Sequence, residues 1–337
     1  MSKNKTGKTK KVKPDPILTI EDLSITYRTR DGVLTAVDNV SLGFDTGRVT
    51  AIIGESGCGK STIMNAVMGV LAPNGTIARG SRVIFDNQNI LELPKEKQRQ
   101  FKWHKASMVF QAAQNAMNPT LTVSEQLMDS AWDHSSSLTR KEVQKRVMDL
   151  LSMVRLDVNR VKRCYPHELS GGMRQRAIIA MAMVLAPRLV ILDEPTTALD
   201  MITQHYIFDI LMSVQRETAI SMVLITHDIA IASKLSHTMV VMYGGEIMEV
   251  SPTEALFDHP VHPYTKGLLD AIPFIDGDVV HKKSIKGTPP DLFNKNDACV
   301  FNARCQHAKN ICRKERPRLE TIKGNRQVAC HFKERFA

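Results

Sequence analysis

From Ile17 to Tyr27 apolar and polar positions largely alternate, with Leu18, Ile20, Leu23, Ile25 and Tyr27 forming the apolar set. A period of two is that of an extended strand with one face buried. Asp31-Gly32 is a turn signal, and the run from Leu34 to Phe44 that follows predicts a second strand, antiparallel to the first. Arg48 to Ile53 is a short, nearly all-apolar strand; a glycine-rich loop and a helical pattern over Ser61–Leu71 come after it. From about 112 to 188 the texture changes. Leu121–Trp132, Arg140–Arg155 and Gly171–Leu185 all suit helices, which predicts an α-helical subdomain. Leu189–Leu192 and Ile220–Ile225 read as buried strands of a parallel sheet, with a helix over Met201–Glu217 between them. Val240–Met242 and Glu246–Val250 flank Tyr243-Gly244-Gly245, a hairpin signal. Beyond Ala271 the pattern weakens, and Pro273, Gly277, Gly287 and Pro289-Pro290 mark a linker. Three parts result: a tail over 1–16, an α/β domain over 17–271, and an extension over 272–337.

Composition limits what such a chain can be. Its 337 residues are 43% hydrophobic and 24% charged, enough for a sizeable core and against global disorder. In mid-chain the stretch Ala177–Ala186, free of charge and proline, is well short of the roughly 18–20 apolar residues that span a bilayer. A Lys-rich start with no apolar stretch behind it predicts no secretory signal. The net charge of +10 is uneven: residues 1–13 carry +6, residues 299–337 carry +7, and the body between them −3. Basic ends can meet anionic headgroups or nucleic acid, but no basic motif interleaved with aromatics accompanies them, so no nucleic-acid partner is expected.

Three motifs carry chemistry. Gly54-Glu55-Ser56-Gly57-Cys58-Gly59-Lys60-Ser61, followed by Thr62, fits G-x-x-x-x-G-K-[ST] between a strand and a helix. Glycines let backbone N–H groups turn inward around phosphate oxygens, Lys60 adds a point charge, and the Ser61 hydroxyl suits Mg²⁺. Leu189–Leu192 ends in Asp193-Glu194-Pro195, which offers one carboxylate to hold Mg²⁺ through its water shell and a second, Glu194, as general base for an attacking water. Ser170-Gly171-Gly172 opens a helix and forms a second anion-binding helix start. Two phosphate-binding helix starts about 115 residues apart make sense if the second reaches a nucleotide held by another subunit.

These motifs, with Gln111 after Val109-Phe110, Ala198-Leu199-Asp200 and Thr226-His227-Asp228, resemble in order and spacing the ATP-binding cassette (ABC) ATPases. The resemblance runs from about Ile17 to Ala271. It implies a P-loop NTPase core with a RecA-like parallel sheet, an N-terminal antiparallel β subdomain and an α-helical subdomain. It further implies ATP and Mg²⁺ as ligands. Tyr27 is implied to stack on adenine and Gly54–Thr62 to surround the phosphates. Gln111 is implied to touch Mg²⁺ and water and His227 to sense the γ-phosphate. Ser170, Gly171, Gly172 and Asp200 are implied to act across a sandwich dimer that closes on two ATP molecules and reopens on hydrolysis. Single-chain translation ATPases of this type carry two cassettes, and repair members carry long coiled coils or large zinc insertions; neither feature is present.

A narrower resemblance rests on Tyr165 to Arg176 and on Asp258 to Leu269, which are similar to the first ATPase of oligopeptide/dipeptide/nickel importers. It implies import of peptides, with nickel or another small solute as the alternative. The implied assembly holds a second, paralogous ATPase or a second copy, two permeases and an extracellular binding protein, with this subunit peripheral on the cytoplasmic face of the cell membrane. Ala112–Asn115 and Met201–Gln204 depart from the family's usual residues at the permease and opposing-subunit contacts.

Four of the six cysteines, Cys299, Cys305, Cys312 and Cys330, fall in the C-terminal extension, separated by five, six and seventeen residues. Four thiolates suit Zn²⁺ or an iron–sulfur cluster, with reduced, unligated structural cysteines as the third reading. Structural zinc sites favour C-x₂₋₄-C pairs, which are missing, whereas wider spacing suits a [4Fe–4S] cube. The resemblance points the same way. Cys58 lies in the phosphate loop beside Lys60 at a helix start, a setting expected to favour its thiolate.

Overall fold

The computed structural model describes residues 16–132, 138–197, 199–271 and 285–336. Residues 1–15, Ala198, and Pro273 and Gly277 of the expected linker lie outside the described residues, as does the 271/272 boundary itself on its C-terminal side.

The chain opens with β1 (Pro16–Thr29) and β2 (Gly32–Asp45), which pair antiparallel through the Asp31-Gly32 turn. The apolar set of β1 changes phase between Ile20 and Leu23, where the register shifts and Asp22 takes a left-handed φ of 48°. That bulge keeps both halves of the strand facing the core. Further on lie β3 (Val49–Ile53), α1 (Lys60–Val67), β4 (Gly75–Ile77), β5 (Arg82–Phe85) and β6 (Gln88–Asn89). Strands β2, β1, β5 and β6 form one sheet in that order, and β4 also pairs with β1.

After α2 (Lys95–His104) and β7 (Ala106–Val109) comes the helical subdomain: α3 (Val123–Trp132), α4 (Arg140–Met153), α5 (Val158–Val161) and α6 (Gly171–Ala182). Thr139 and Glu142 close a capping box at the start of α4, which satisfies backbone donors that would otherwise be orphaned. Then follow β8 (Leu189–Asp193), α7 (Met201–Thr218), β9 (Ser221–Ile225), α8 (Ile229–Leu235), β10 (Thr238–Tyr243), β11 (Glu246–Pro252), α9 (Thr253–Asp258) and α10 (Pro263–Asp270). The C-terminal extension adds β12 (Glu320–Ile322), β13 (Arg326–Val328) and α11 (Lys333–Phe336).

The second sheet runs β12-β13-β11-β10-β3-β9-β8-β7. Its stretch from β10 to β7 is parallel. Every residue of β3, β8 and β9 is buried, in keeping with mainly apolar sequences in strands covered on both faces. One apolar cluster joins the helical subdomain to this sheet, a second fills the space between the sheets around α1, and a third lies beneath β10, β11, α10 and the cysteine segment.

Parallel order has a consequence for function. Strands β3, β9, β8 and β7 are neighbours with a common direction, so the segments leaving their C-terminal ends emerge side by side. Those segments begin at Gly54, Thr226, Glu194 and Phe110. The extension is stitched to the same body. β13 pairs with β11, buried Glu249 receives Arg326 at 2.9 Å, and Lys295 and Arg316 both bind Asp38 at 3.2 and 2.8 Å. Among the described residues no helix is long and apolar enough to cross a membrane.

Candidate active site

The phosphate loop is built around its lysine. Lys60 is buried, and its Nζ donates to the carbonyls of Gly54 at 2.8 Å and Glu55 at 2.9 Å. The ammonium therefore lies inside the loop's curve, beneath exposed Ser56 and Gly57. Gly54 has φ 152°, and a Cβ there would fall 2.2 Å from the Met242 carbonyl oxygen. Glycine is required at that point to bring the loop against β10. Gly59 precedes α1 in a left-handed conformation and turns the helix start toward the loop's interior.

Ser61 Oγ donates to Asp193 Oδ1 at 2.9 Å, which joins the start of α1 to the end of β8. Burial raises the Asp193 carboxyl above its ordinary range; the Ser61 hydrogen bond and Lys60 oppose that rise, and Glu194 adds to it. These are hard oxygen donors, and their convergence fits a divalent cation such as Mg²⁺.

Glu194 adopts a left-handed φ of 44° and is held there by its N–H, which donates to Ile225 O at 2.9 Å. Three side chains meet its carboxylate. Gln111 Nε2 donates to Oε2 at 3.2 Å and Thr197 Oγ1 to the same oxygen at 3.0 Å; His227 Nδ1 lies 3.3 Å from Oε1. Gln111 and Glu194 are 83 positions apart in sequence, and the strand order alone brings them together. Gln111 turns its amide nitrogen toward Glu194, which leaves its carbonyl oxygen for a cation or water.

Tyr27 is half-buried near the end of β1, at the margin of the apolar cluster that holds Cys58 and Ile63. Its ring packs on Gly75, where a Cβ would meet Cε1 at 2.8 Å. Ser170 caps α6 by accepting from Met173 N–H at 3.3 Å, and a Cβ on Gly172 would fall 2.5 Å from Thr203 Cγ2. Asp200 is spent on capping α7, accepting from Thr203 N–H at 2.9 Å and Thr203 Oγ1 at 2.6 Å. Those bonds hold its carboxyl below the usual range. Among the described residues no hydrogen bond or ion pair links Ser170, Gly171, Gly172 or Asp200 to Gly54–Thr62.

Comparison with known proteins gives this geometry a context. The family model for ABC transporters matches residues 37–197. A dipeptide transport ATP-binding protein, DppD, of Caldanaerobacter subterraneus subsp. tengcongensis is 41% identical over 94% of this chain and 97% of its own length. The chain belongs to the ABC transporter family. The model for the C-terminal region of oligopeptide/dipeptide transporters matches residues 248–312 of this ABC protein. The oligopeptide transport ATP-binding protein OppD of Escherichia coli is 38% identical over 94% of this chain and 93% of its own. Among solved structures, the dimeric ATP-binding cassette MJ0796 in a post-hydrolysis state with ADP and Pi aligns at TM-score 0.62 and 28% identity, covering 70% of this chain and 98% of that one. The ABC ATPase fold expected from the motifs is thus the fold observed, and ATP is the ligand of the family.

Two expectations about cysteine change in this ABC ATPase. Cys58 is 4% exposed, and burial pushes its thiol up although Lys60 Nζ lies 3.7 Å away. The thiolate expected beside a helix start is not favoured, because desolvation outweighs the nearby cation. The second concerns the extension. Cys299, Cys305, Cys312 and Cys330 line one pocket with Phe301 and Phe332, and none is in a disulfide. Burial pushes Cys299 up to about 12, and the other three thiols push the same way. Among the described residues no group of three or more His, Cys, Asp or Glu side chains is arranged to hold a metal ion, so neither the expected [4Fe–4S] cluster nor the zinc alternative finds support in this geometry.

Sequence reasoning missed Thr197 and Arg304. Thr197 follows Glu194 by three residues, a spacing at which a hydroxyl can reach back, and this could have flagged it. Nothing local flags Arg304, whose carboxylate partner Glu55 is 249 positions away.

Proposed function

We propose that this chain is the ATP-hydrolysing subunit that powers peptide import across the cell membrane through an ABC importer. The observation that carries this reading is the union, in one fold, of the assembled Lys60–Ser61–Asp193–Glu194 site with an oligopeptide/dipeptide transporter C-terminal region.

In this reading the backbone of Gly54–Thr62 and Lys60 bind the triphosphate. Ser61, Asp193 and the Gln111 carbonyl are the groups that would hold Mg²⁺, which when bound neutralises developing phosphate charge. Glu194, oriented by Gln111, Thr197 and His227, takes the proton from the attacking water. Tyr27 stacks on adenine. Ser170, Gly171, Gly172 and Asp200 serve a nucleotide held by the opposing subunit, a paralogous ATPase or a second copy, which agrees with their distance in bonding from this chain's own loop. Two permeases and an extracellular binding protein complete the importer, and the subunit sits peripherally on the cytoplasmic membrane face. No nucleic acid takes part.

The four thiols of the extension are the groups that would hold a [4Fe–4S] cluster with a structural role, Zn²⁺ being the alternative. The reading rests on the four thiols lining one pocket together with Phe301 and Phe332. An anaerobic preparation should absorb near 400 nm, at about the energy of cluster charge transfer, and contain about four iron atoms per chain; zinc without iron would replace that assignment.

The function is tested by deleting the chain from cells and measuring uptake of labelled di- and oligopeptides. Wild type should restore uptake and Lys60→Ala should not. Restored nickel uptake with no change in peptide uptake would move the cargo to the alternative.

A further inference from the structure

The extension touches the phosphate loop itself. Arg304, next to Cys305, is 7% exposed in its side chain, and its Nη1 donates to both carboxylate oxygens of Glu55, at 2.9 and 2.8 Å. The other guanidinium donors are also fixed: Nη1 reaches Tyr243 OH at 3.1 Å, Nη2 reaches Ile285 O at 3.1 Å, and Nε reaches Lys286 O at 3.1 Å. Glu55 is the second residue of the loop. Its N–H donates to Tyr264 OH at 3.1 Å, and its carbonyl accepts from Lys60 Nζ.

We propose that Arg304 is a positioning residue for ATP binding: by gripping and neutralising Glu55, it lets the cysteine-bearing extension set the affinity of the phosphate loop. The inference rests on the reading of that loop as the ATP site. Two physical arguments support it. A carboxylate beside an anion-binding loop repels a triphosphate unless a cation compensates it, and Arg304 is the cation that pairs with it. The extension also has other anchors. Lys295 on Asp38 and Arg326 on Glu249 already hold it to the sheet without touching the loop. A planar guanidinium whose Nε and Nη2 are anchored on Lys286 O and Ile285 O, and whose Nη1 holds both Glu55 oxygens, converts the placement of residues 304–305 into the placement of Glu55, and through the Glu55 carbonyl into that of Lys60.

The test measures Mg-ATP affinity of the full chain by displacement of a fluorescent ATP analogue, with turnover kinetics alongside. Arg304→Met should raise the Kd for Mg-ATP about tenfold, a typical coupling between packed sites. KM should rise in step, while kcat at saturating ATP stays within about twofold. Adding Glu55→Gln to Arg304→Met should restore most of the affinity, because the uncompensated charge is gone. Arg304→Lys should lie between wild type and Arg304→Met. Lys295→Met, which loosens a different anchor, should lower thermal stability and leave the Kd unchanged. An unchanged Kd in Arg304→Met overturns the proposal. So does a deficit that Glu55→Gln fails to relieve, or an equal deficit in Lys295→Met. If wild type itself binds no nucleotide, the ATP-site reading has failed and this inference falls with it.

Discussion

Glu194→Gln isolates one chemical property of the active site. The amide keeps the size of the carboxylate and can still accept from Thr197 Oγ1, which lies 3.0 Å from Oε2, but it cannot take a proton. A positioned general base contributes about 10²–10⁴-fold, so the hydrolysis barrier should rise by about 3–5 kcal/mol. The three contacts to Glu194 at 3.0–3.3 Å sharpen the expectation, since they hold the group through one oxygen pair without enclosing it. Thr197→Val removes one orienting donor and leaves the base, so it should cost only about tenfold or less. Single-turnover release of phosphate from labelled ATP reads the chemical step, and filter retention of the same nucleotide reads binding. The expected pattern is tight retention with hydrolysis lost in Glu194→Gln, and modest slowing in Thr197→Val. Hydrolysis by Glu194→Gln within tenfold of wild type would refute the assignment of the base.

Other outcomes follow from the packing. Gly54→Ala should abolish nucleotide binding and lower stability by about 3 kcal/mol or more, because its Cβ meets the Met242 backbone rather than a movable side chain; retained binding by calorimetry would contradict this. Arg326→Met leaves the Glu249 carboxylate, fully buried, without its guanidinium, and should cost about 3 kcal/mol by denaturant unfolding. Glu249→Gln combined with Arg326→Met should cost less than the two changes added together, and strict additivity would count against a coupled pair. Cys58 should alkylate slowly at pH 7 and faster as pH rises, since burial lifts the thiol and so lowers the thiolate fraction at neutrality. Peptide mapping that finds Cys58 labelled ahead of half-exposed Cys164 would show that the loop opens more than its packing implies.

Long, strongly patterned elements were legible in the sequence. The β1–β2 pair, the strand–loop–helix around Lys60, the helical subdomain and the β10–β11 hairpin at Gly244-Gly245 all stand near their expected positions. So was the site as a set of motifs, because each motif is local in sequence. What joins them was not. Gln111 meets Glu194 only because β7 lies beside β8, and a parallel neighbour relation leaves no local trace. β12 and β13 are three residues each and carry polar or charged positions, too short to show a period. The Cys58 expectation failed because a helix start and a lysine can be read from sequence, whereas the depth of a side chain depends on what packs over it.

The β12–β13 hairpin also has a bearing on how this chain can be cut. β11 hydrogen-bonds to β10 on one side and to β13 on the other. A version ending soon after Cys312 would leave β11 as a naked border, with unpaired amide groups open to a strand from a neighbouring molecule. The native border is β12, only three residues long, with Glu320 tied to Lys333. Shortened forms should therefore fail by sticking to one another before their nucleotide chemistry can be assayed.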